Sequence, residues 1–266
     1  MDFASFLREK QYLENVTPNT LRWYRDALRW LLTENPDELA LKDMVIRMRE
    51  AGLKETGCNA AIRAINCYLR WSGSPHMVRQ LKERVVVLPI FTTEQIKRLT
   101  GYKPRTAFQH RLHLLIMVLF DNGCRVSEAL ELRGADVDLD NLLITVHGKG
   151  RKDQKVPMSF ELRKALFKYR RGEGVLFTTA NGTPWGRIGA LRSIKLHCRK
   201  LGFEPPARTL HAIRHTFALN YLRKGGSVFH MQKILGYSTL EMTRRYANLL
   251  TEDLQAIHQR MSLLDA

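Results

Sequence analysis

The chain has 266 residues and a mass of 30.8 kDa, 44% of them apolar and 26% charged, which is enough apolar content for one large core or two smaller ones. Its 43 Lys and Arg outnumber 26 Asp and Glu, a formal net charge of +17, and a globular chain this basic is suited to a polyanionic partner. The longest apolar run, Leu114 to Phe120, is too short to span a bilayer; Met1-Asp2-Phe3-Ala4 lacks the basic start and apolar stretch of a secretory signal; and Cys58, Cys67, Cys124 and Cys198 fit neither a disulfide framework nor CxxC metal spacing, so a reducing cytoplasm is expected.

The charge is unevenly divided. Residues 1–88 carry 14 basic and 11 acidic side chains, whereas residues 89–266 carry 29 and 15. The first part reads as all-helical. Thr17-Pro18 opens a helix with Leu21, Tyr24, Leu28 and Leu31 at helical spacing, and Asn35-Pro36 is expected to end it. A second helix runs from Leu41 to Glu50 and stops at Gly52. A third runs from Thr56 to Trp71, with Ala60, Ile62, Ile65 and Leu69 on one apolar face, and Ser72-Gly73-Ser74-Pro75 closes it. Pro89 disfavours helix before it, so the neighbouring valines read as an extended linker.

The second part is mixed. Thr92 or Thr93 caps a helix starting at Glu94. Arg105 to Phe120 is an apolar core helix ended by Asn122-Gly123, and a short helix spans Ser127 to Leu132. Leu142 to Val146 is a β-branched strand; Gly148 to Asp153 is a basic turn, and Lys155 to Met158 returns, giving a β-hairpin. Beyond Phe160 the pattern is helical, interrupted at Asn181-Gly182-Thr183-Pro184. Ser227 to Leu235 is a helix stopped by Gly236, Ser238-x-x-Glu241 is a capping box, and Thr251 caps a last helix with Leu254, Ile257, Met261 and Leu264 in one stripe.

Of the residues that could carry chemistry, His211-Ala212-Ile213-Arg214-His215 is the densest group. On a helix His211 and Arg214 share a face, and an imidazole beside a guanidinium suits an anionic, proton-transferring site. His211 and His215 also have the spacing of a zinc pair, but Ala212 stands where a zinc hydrolase needs its Glu and no third ligand follows; a solvated helix histidine is the plain alternative. Asp136 to Asp140 lacks the glycine of a calcium loop and reads as a turn. There is no GxxxxGK or GxGxxG nucleotide motif, and the scarcity of acids argues against a carboxylate-rich two-metal nuclease. Tyr246, after Arg244-Arg245, can serve as a covalent nucleophile, although tyrosine among basic residues is more often packing. Its phenol titrates near pH 10 unperturbed, so cations or a base must help it ionise.

Five segments occur in order and at suitable spacing: Asn122-Gly123-Cys124-Arg125-Val126-Ser127-Glu128, Gly148-Lys149-Gly150, His211-Ala212-Ile213-Arg214-His215, Leu235-Gly236-Tyr237-Ser238, and Tyr246 nine residues beyond position 237. Together they resemble the tyrosine recombinases, the phage-integrase and Xer-like family, over nearly the whole chain. The resemblance implies a mainly α fold with a small β-hairpin or sheet, arranged as a two-domain C-shaped clamp. Residues 1–84 would be a helical core-binding domain, 85–91 a linker, and 92–266 a mixed α+β catalytic domain ending in an exchange helix.

The resemblance also implies roles. Arg125 and Arg214 clamp the scissile phosphate, Lys149 protonates the departing 5′ oxygen, His211 assists proton transfer, and Tyr246 attacks phosphorus to form a 3′-phosphotyrosyl bond. Glu128 supports the first arginine, and Tyr237 occupies a position usually held by His or Trp, where a phenol can also donate a hydrogen bond. Fixed cations stabilise the transferring phosphoryl group without a metal, and the covalent link retains bond energy without ATP, so no cofactor is expected. Thr56, Asn59 and Arg63 in the first part, and Arg187, Arg192, Lys195 and Arg199 in the second, are expected DNA contacts, chiefly to phosphates. The partners implied are duplex recombination sites and further copies of the chain, a tetramer on two sites joined through the terminal helix, with room for accessory DNA-binding factors. The plain alternative for that helix is packing on its own domain. A type IB topoisomerase and a catalytically silent DNA-binding protein are the rival functions.

Overall fold

The computed structural model describes residues 2–83, 88–148, 153–169, 172 and 174–236. Within them the chain divides into two compact units, Met1–Val87 and Leu88–Ala266. It is mostly helical with one small sheet.

Four helices build the first unit: α1 (Phe3–Tyr12), α2 (Pro18–Leu28), α3 (Glu38–Glu50) and α4 (Glu55–Trp71). Asp2, Thr17 and Asp37 cap the first three by accepting from the backbone N–H of Ser5, Thr20 and Ala40, which satisfies donors that a helix start leaves open. The core is Phe6, Tyr24, Leu28, Met44, Met48, Ile62, Ile65, Tyr68 and Leu69, with Phe6 edge-on to both Tyr24 and Tyr68. The structure adds one helix to the sequence reading and moves one expected boundary. The opening helix α1 carries no apolar repeat long enough to declare it; Asp2 at its start and the single fully buried ring of Phe6 define it. Helix α2 stops at Leu28, well before Asn35-Pro36, because Trp30 and Leu31 turn back with tight i→i−3 bonds to Ala27 and Leu28. Leu31 is nevertheless buried.

Two asparagines on α4 fasten the extended chain that follows it. The Asn66 amide gives to the Val78 carbonyl and takes from its N–H (2.8 and 2.9 Å). Two turns earlier, Asn59 does the same with Leu81 (2.8 and 2.7 Å) and also gives to Glu83. Each side chain thus acts as one rung of a β-ladder.

In the second unit, α5 (Thr93–Thr100) and α6 (Ala107–Asn122) both open with capping boxes, at Thr92/Gln95 and Thr106/Gln109. They are followed by α7 (Val126–Glu131), a 3₁₀ turn (Gly134–Asp136), and strands β1 (Val137–Asp138), β2 (Leu143–His147) and β3 (Asp153–Pro157). The sheet is an antiparallel β1-β2-β3 meander whose last rung pairs His147 with Asp153. The short β1 pairs where a turn alone is expected. Asp138 then caps that turn by accepting from the Asn141 N–H at 2.9 Å. Helices α8 (Phe160–Tyr169), α9 (Arg187–Lys200), α10 (Thr209–Arg223) and α11 (Val228–Leu235) complete the described part.

Helix α6 is the centre. Its Leu112, Leu115, Ile116 and Leu119 are buried in one cluster with Ile144 and Val156 of the sheet, Leu162 of α8, Ile194 of α9 and Ile213 of α10. Residues expected as the end of the linker belong to this unit. The Phe91 ring is buried and its N–H donates to Thr216 Oγ1 at 2.8 Å, and Leu88 packs with Ala218, Leu222, Met231 and Leu235. None of the described helices is long and apolar enough to cross a membrane.

Candidate active site

Helix α6 ends at Gly123, whose φ of +62° is left-handed. A side chain there would be strained, and its Cβ would also lie 2.3 Å from the Phe217 ring and 2.9 Å from Leu235. Glycine is therefore required twice over, by backbone conformation and by close approach. The sharp exit it permits carries Arg125 into the N-cap position of α7. Glu128 reaches back one turn: its carboxylate accepts the Arg125 backbone N–H at 2.7 Å and the Arg125 guanidinium at 2.6 Å. Glu128 is nearly buried whereas Arg125 is half exposed, so a fixed carboxylate aims an accessible cation.

Arg214 comes from α10 and is buried, 6% exposed. Its Nη1 donates to the Gly123 carbonyl at 2.9 Å, and its Nη2 to the Leu235 carbonyl. Those carbonyls lie at the C-terminal ends of α6 and α11, where helix dipoles present partial negative charge. Three segments far apart in sequence are thereby pinned around one guanidinium. On the same helix, one turn nearer its start, His211 is exposed, with the His215 ring 6.4 Å away. Among the described residues no group of three His, Cys, Asp or Glu gathers in a metal-holding arrangement.

The His211 pKa is held below the usual imidazole range, first by loss of solvation among neighbouring atoms and then by the charges of Arg187, Arg208, Arg214 and Arg125. All of these disfavour the imidazolium, so His211 stays neutral to a lower pH than a free imidazole does and can accept a proton. Arg187→Gln removes the largest of the four charge contributions. It is expected to raise the midpoint of the His211 imidazole titration followed by NMR; an unchanged or lower midpoint would show that the charge does not act on the ring.

Arg208 is a basic group at this site that sequence reasoning did not single out. It precedes α10 with φ +52°, uncommon for a non-glycine residue, and its carbonyl accepts from the His211 and Ala212 N–H groups. The signal was available, since Arg208, His211 and Arg214 recur three residues apart. The hairpin strand β3 packs against α11, and Gln154 Nε2 donates to the Lys233 carbonyl, so the stem of the hairpin stands beside the helix end that binds Arg214. Lys149, Tyr237, Tyr246 and the terminal helix lie outside the described residues.

Of the expected DNA contacts, Thr56 and Arg63 are exposed on α4, and Arg187 and Arg192 on α9, with Lys195 partly so. Arg199 is exposed but engages Glu204 through Nε at 3.0 Å. Asn59 is corrected: at 1% exposure, with its amide committed to Leu81 and Glu83, it holds the segment after α4 and is not a free donor for DNA.

Comparison with known proteins gives the family. The model of the phage integrase family matches residues 89–253. The chain belongs to the phage integrase family, the tyrosine recombinases. This recombinase is 29% identical to tyrosine recombinase XerA of Thermococcus kodakarensis, over 95% of its own length and 93% of the relative's. It is 33% identical to a putative integrase of Pseudomonas phage Pf1 over 66% of its length and 50% of that protein. In fold it is similar to the Tn1549 transposon integrase in complex with transposon right end DNA (TM-score 0.78, 21% identity, 96% and 97% of the two chains). It is also similar in fold to a lambda integrase dimer bound to a core site (TM-score 0.67, 18% identity, 92% and 77%).

Proposed function

We propose that this recombinase cuts and rejoins duplex DNA at specific sites through a 3′-phosphotyrosyl intermediate, using neither metal nor ATP. The observation that carries the reading is the gathering of Arg125, His211 and Arg214 around the ends of α6 and α11, with the family membership of the chain beside it. Arg125 and Arg214 bind the non-bridging oxygens of the scissile phosphate and stabilise the charge that builds there in the transition state. Tyr246 Oη attacks phosphorus while neutral His211 takes the phenolic proton. The P–O5′ bond breaks, and Lys149 gives the departing O5′ its proton. Rejoining is the reverse: a 5′ hydroxyl attacks the phosphotyrosine, loses its proton to Lys149, and the phenol recovers its own. Tyr237 donates a hydrogen bond to a phosphate oxygen.

The two units act as a clamp on the duplex. Residues 1–84 are a core-binding domain, the catalytic domain begins by Leu88, and a tetramer forms on two sites through the terminal helix. Structural neighbours solved with DNA support the duplex substrate, and the excess of basic side chains after residue 88 predicts binding that weakens steeply with salt. The site of action is the nucleoid in the cytoplasm.

The test mixes the protein with two duplexes bearing its recombination site, in chelator and without ATP. Exchanged strands are expected. Relaxation of supercoils without exchange would assign the chemistry to a topoisomerase, and demonstrated binding with no covalent adduct on a nicked substrate would leave a silent DNA-binding protein.

A further inference from the structure

The last rung of the hairpin holds a feature that the cleavage chemistry above does not use. His147 Nδ1 lies 2.8 Å from Asp153 Oδ1, directly across the strand pair, and its Nε2 lies 2.8 Å from Asp136 Oδ1 in the 3₁₀ turn. Asp136 is itself anchored, since its Oδ2 accepts the Arg133 N–H at 2.8 Å. An ionised carboxylate can only accept, and a neutral imidazole can donate from only one nitrogen. Hydrogen bonds to two carboxylates therefore require both ring nitrogens to carry protons. The flanking aspartates also raise the pKa of His147 above the usual imidazole range, in keeping with that state. The charged side chains on the elements packed about β2 are Asp136, Asp138, Asp153 and Lys155, with Glu128 and Glu131 on α7; among the described residues, Asp136 and Asp153 are those that reach the ring nitrogens.

We propose that His147, as an imidazolium bridging Asp136 and Asp153, is a positioning residue for strand cleavage: it locks the paired strand ends between which Lys149 lies in sequence. Lys149 is two residues beyond His147 in sequence. A general acid must stand within hydrogen-bond reach of the atom it protonates, and small misplacements slow such a step by up to about a hundredfold. The clamp ties the end of β2 to the start of β3 and both to the 3₁₀ turn, which restricts how far a residue between them in sequence can go. This inference rests on the reading of Lys149 as the general acid.

The test uses His147→Ala, the exposed-site variant Asp153→Asn, and Lys149→Ala as reference, in single-turnover cleavage of a nicked duplex. Two versions of the scissile position are compared, a normal 5′ oxygen and a bridging 5′ sulfur. A thiolate leaves without needing a proton, so sulfur bypasses the general acid. DNA binding is expected to stay within about twofold of the parent protein. Cleavage of the oxygen substrate is expected to fall roughly tenfold or more in both clamp variants, and the sulfur substrate is expected to restore them, as it restores Lys149→Ala. Clamp variants that cleave the oxygen substrate at the parent rate, or that are equally slow on both substrates, would overturn the clamp while a rescued Lys149→Ala leaves the general acid standing. A Lys149→Ala protein that sulfur does not rescue would remove the general acid and the clamp together.

Discussion

Tyr246→Phe is expected to bind its DNA site with unchanged affinity and to form no covalent adduct at all. The substitution deletes one oxygen, the atom proposed to attack phosphorus, and keeps the ring. Any change in adduct formation therefore reports on the nucleophile itself. Denaturing electrophoresis of protein trapped on a nicked duplex measures it. Tyr237→Phe is the necessary partner experiment, because two phenols fall within nine residues of each other. If Tyr237 donates to the phosphate as proposed, loss of its hydroxyl should still leave adduct formation, but about 10²-fold slower. An adduct that survives in Tyr246→Phe and vanishes in Tyr237→Phe would reverse the assignment.

The second large effect is that of Arg214→Ala. Its guanidinium is tied to the carbonyls of Gly123 and Leu235, so its removal acts on chemistry and on structure at once. Loss of a fixed cation on a transferring phosphoryl group costs about 10³-fold or more in cleavage rate. The two carbonyls also lose charge-assisted partners in a buried place, worth about 2 kcal/mol in sum once the cost of burying the charge is set against them. In a domain of this size that lowers the melting temperature by roughly 4–8 °C. Arg214→Lys keeps a charge but not the planar fork that can hold two carbonyls and a phosphate together, and is expected to lie near Arg214→Ala in cleavage. Wild-type cleavage in either variant would refute the phosphate clamp. An unchanged melting temperature in Arg214→Ala would show that the two carbonyls do not depend on it.

Much of the fold was legible because its signals are local. Thr17-Pro18, the threonine cap at Thr92, and the glycines after α6 and α11 act within one helical turn, and α2, α5, α6 and α11 start or stop accordingly. Where a boundary depends on contacts beyond that turn, the pattern misleads. Leu31 has helical spacing, yet it is buried after the helix has ended. Asn59 shares an α4 face pattern with Thr56 and Arg63, but the segment that returns 22 residues later covers it.

From the amino-acid order alone came the mainly helical character, the basic second half, the family, and the choice of Arg125, Lys149, His211, Arg214, Tyr237 and Tyr246, because motif spacing is a one-dimensional property. Tertiary structure alone decided how the described members are held. Arg214 lies between two helix ends 91 and 21 residues away, Arg125 lies on Glu128, the charges of four arginines act on His211, and His147 joins two aspartates. Partners of this kind are set by which surfaces pack together, and hydrogen-bond geometry and local charge exist only once the chain has brought them within a few ångströms.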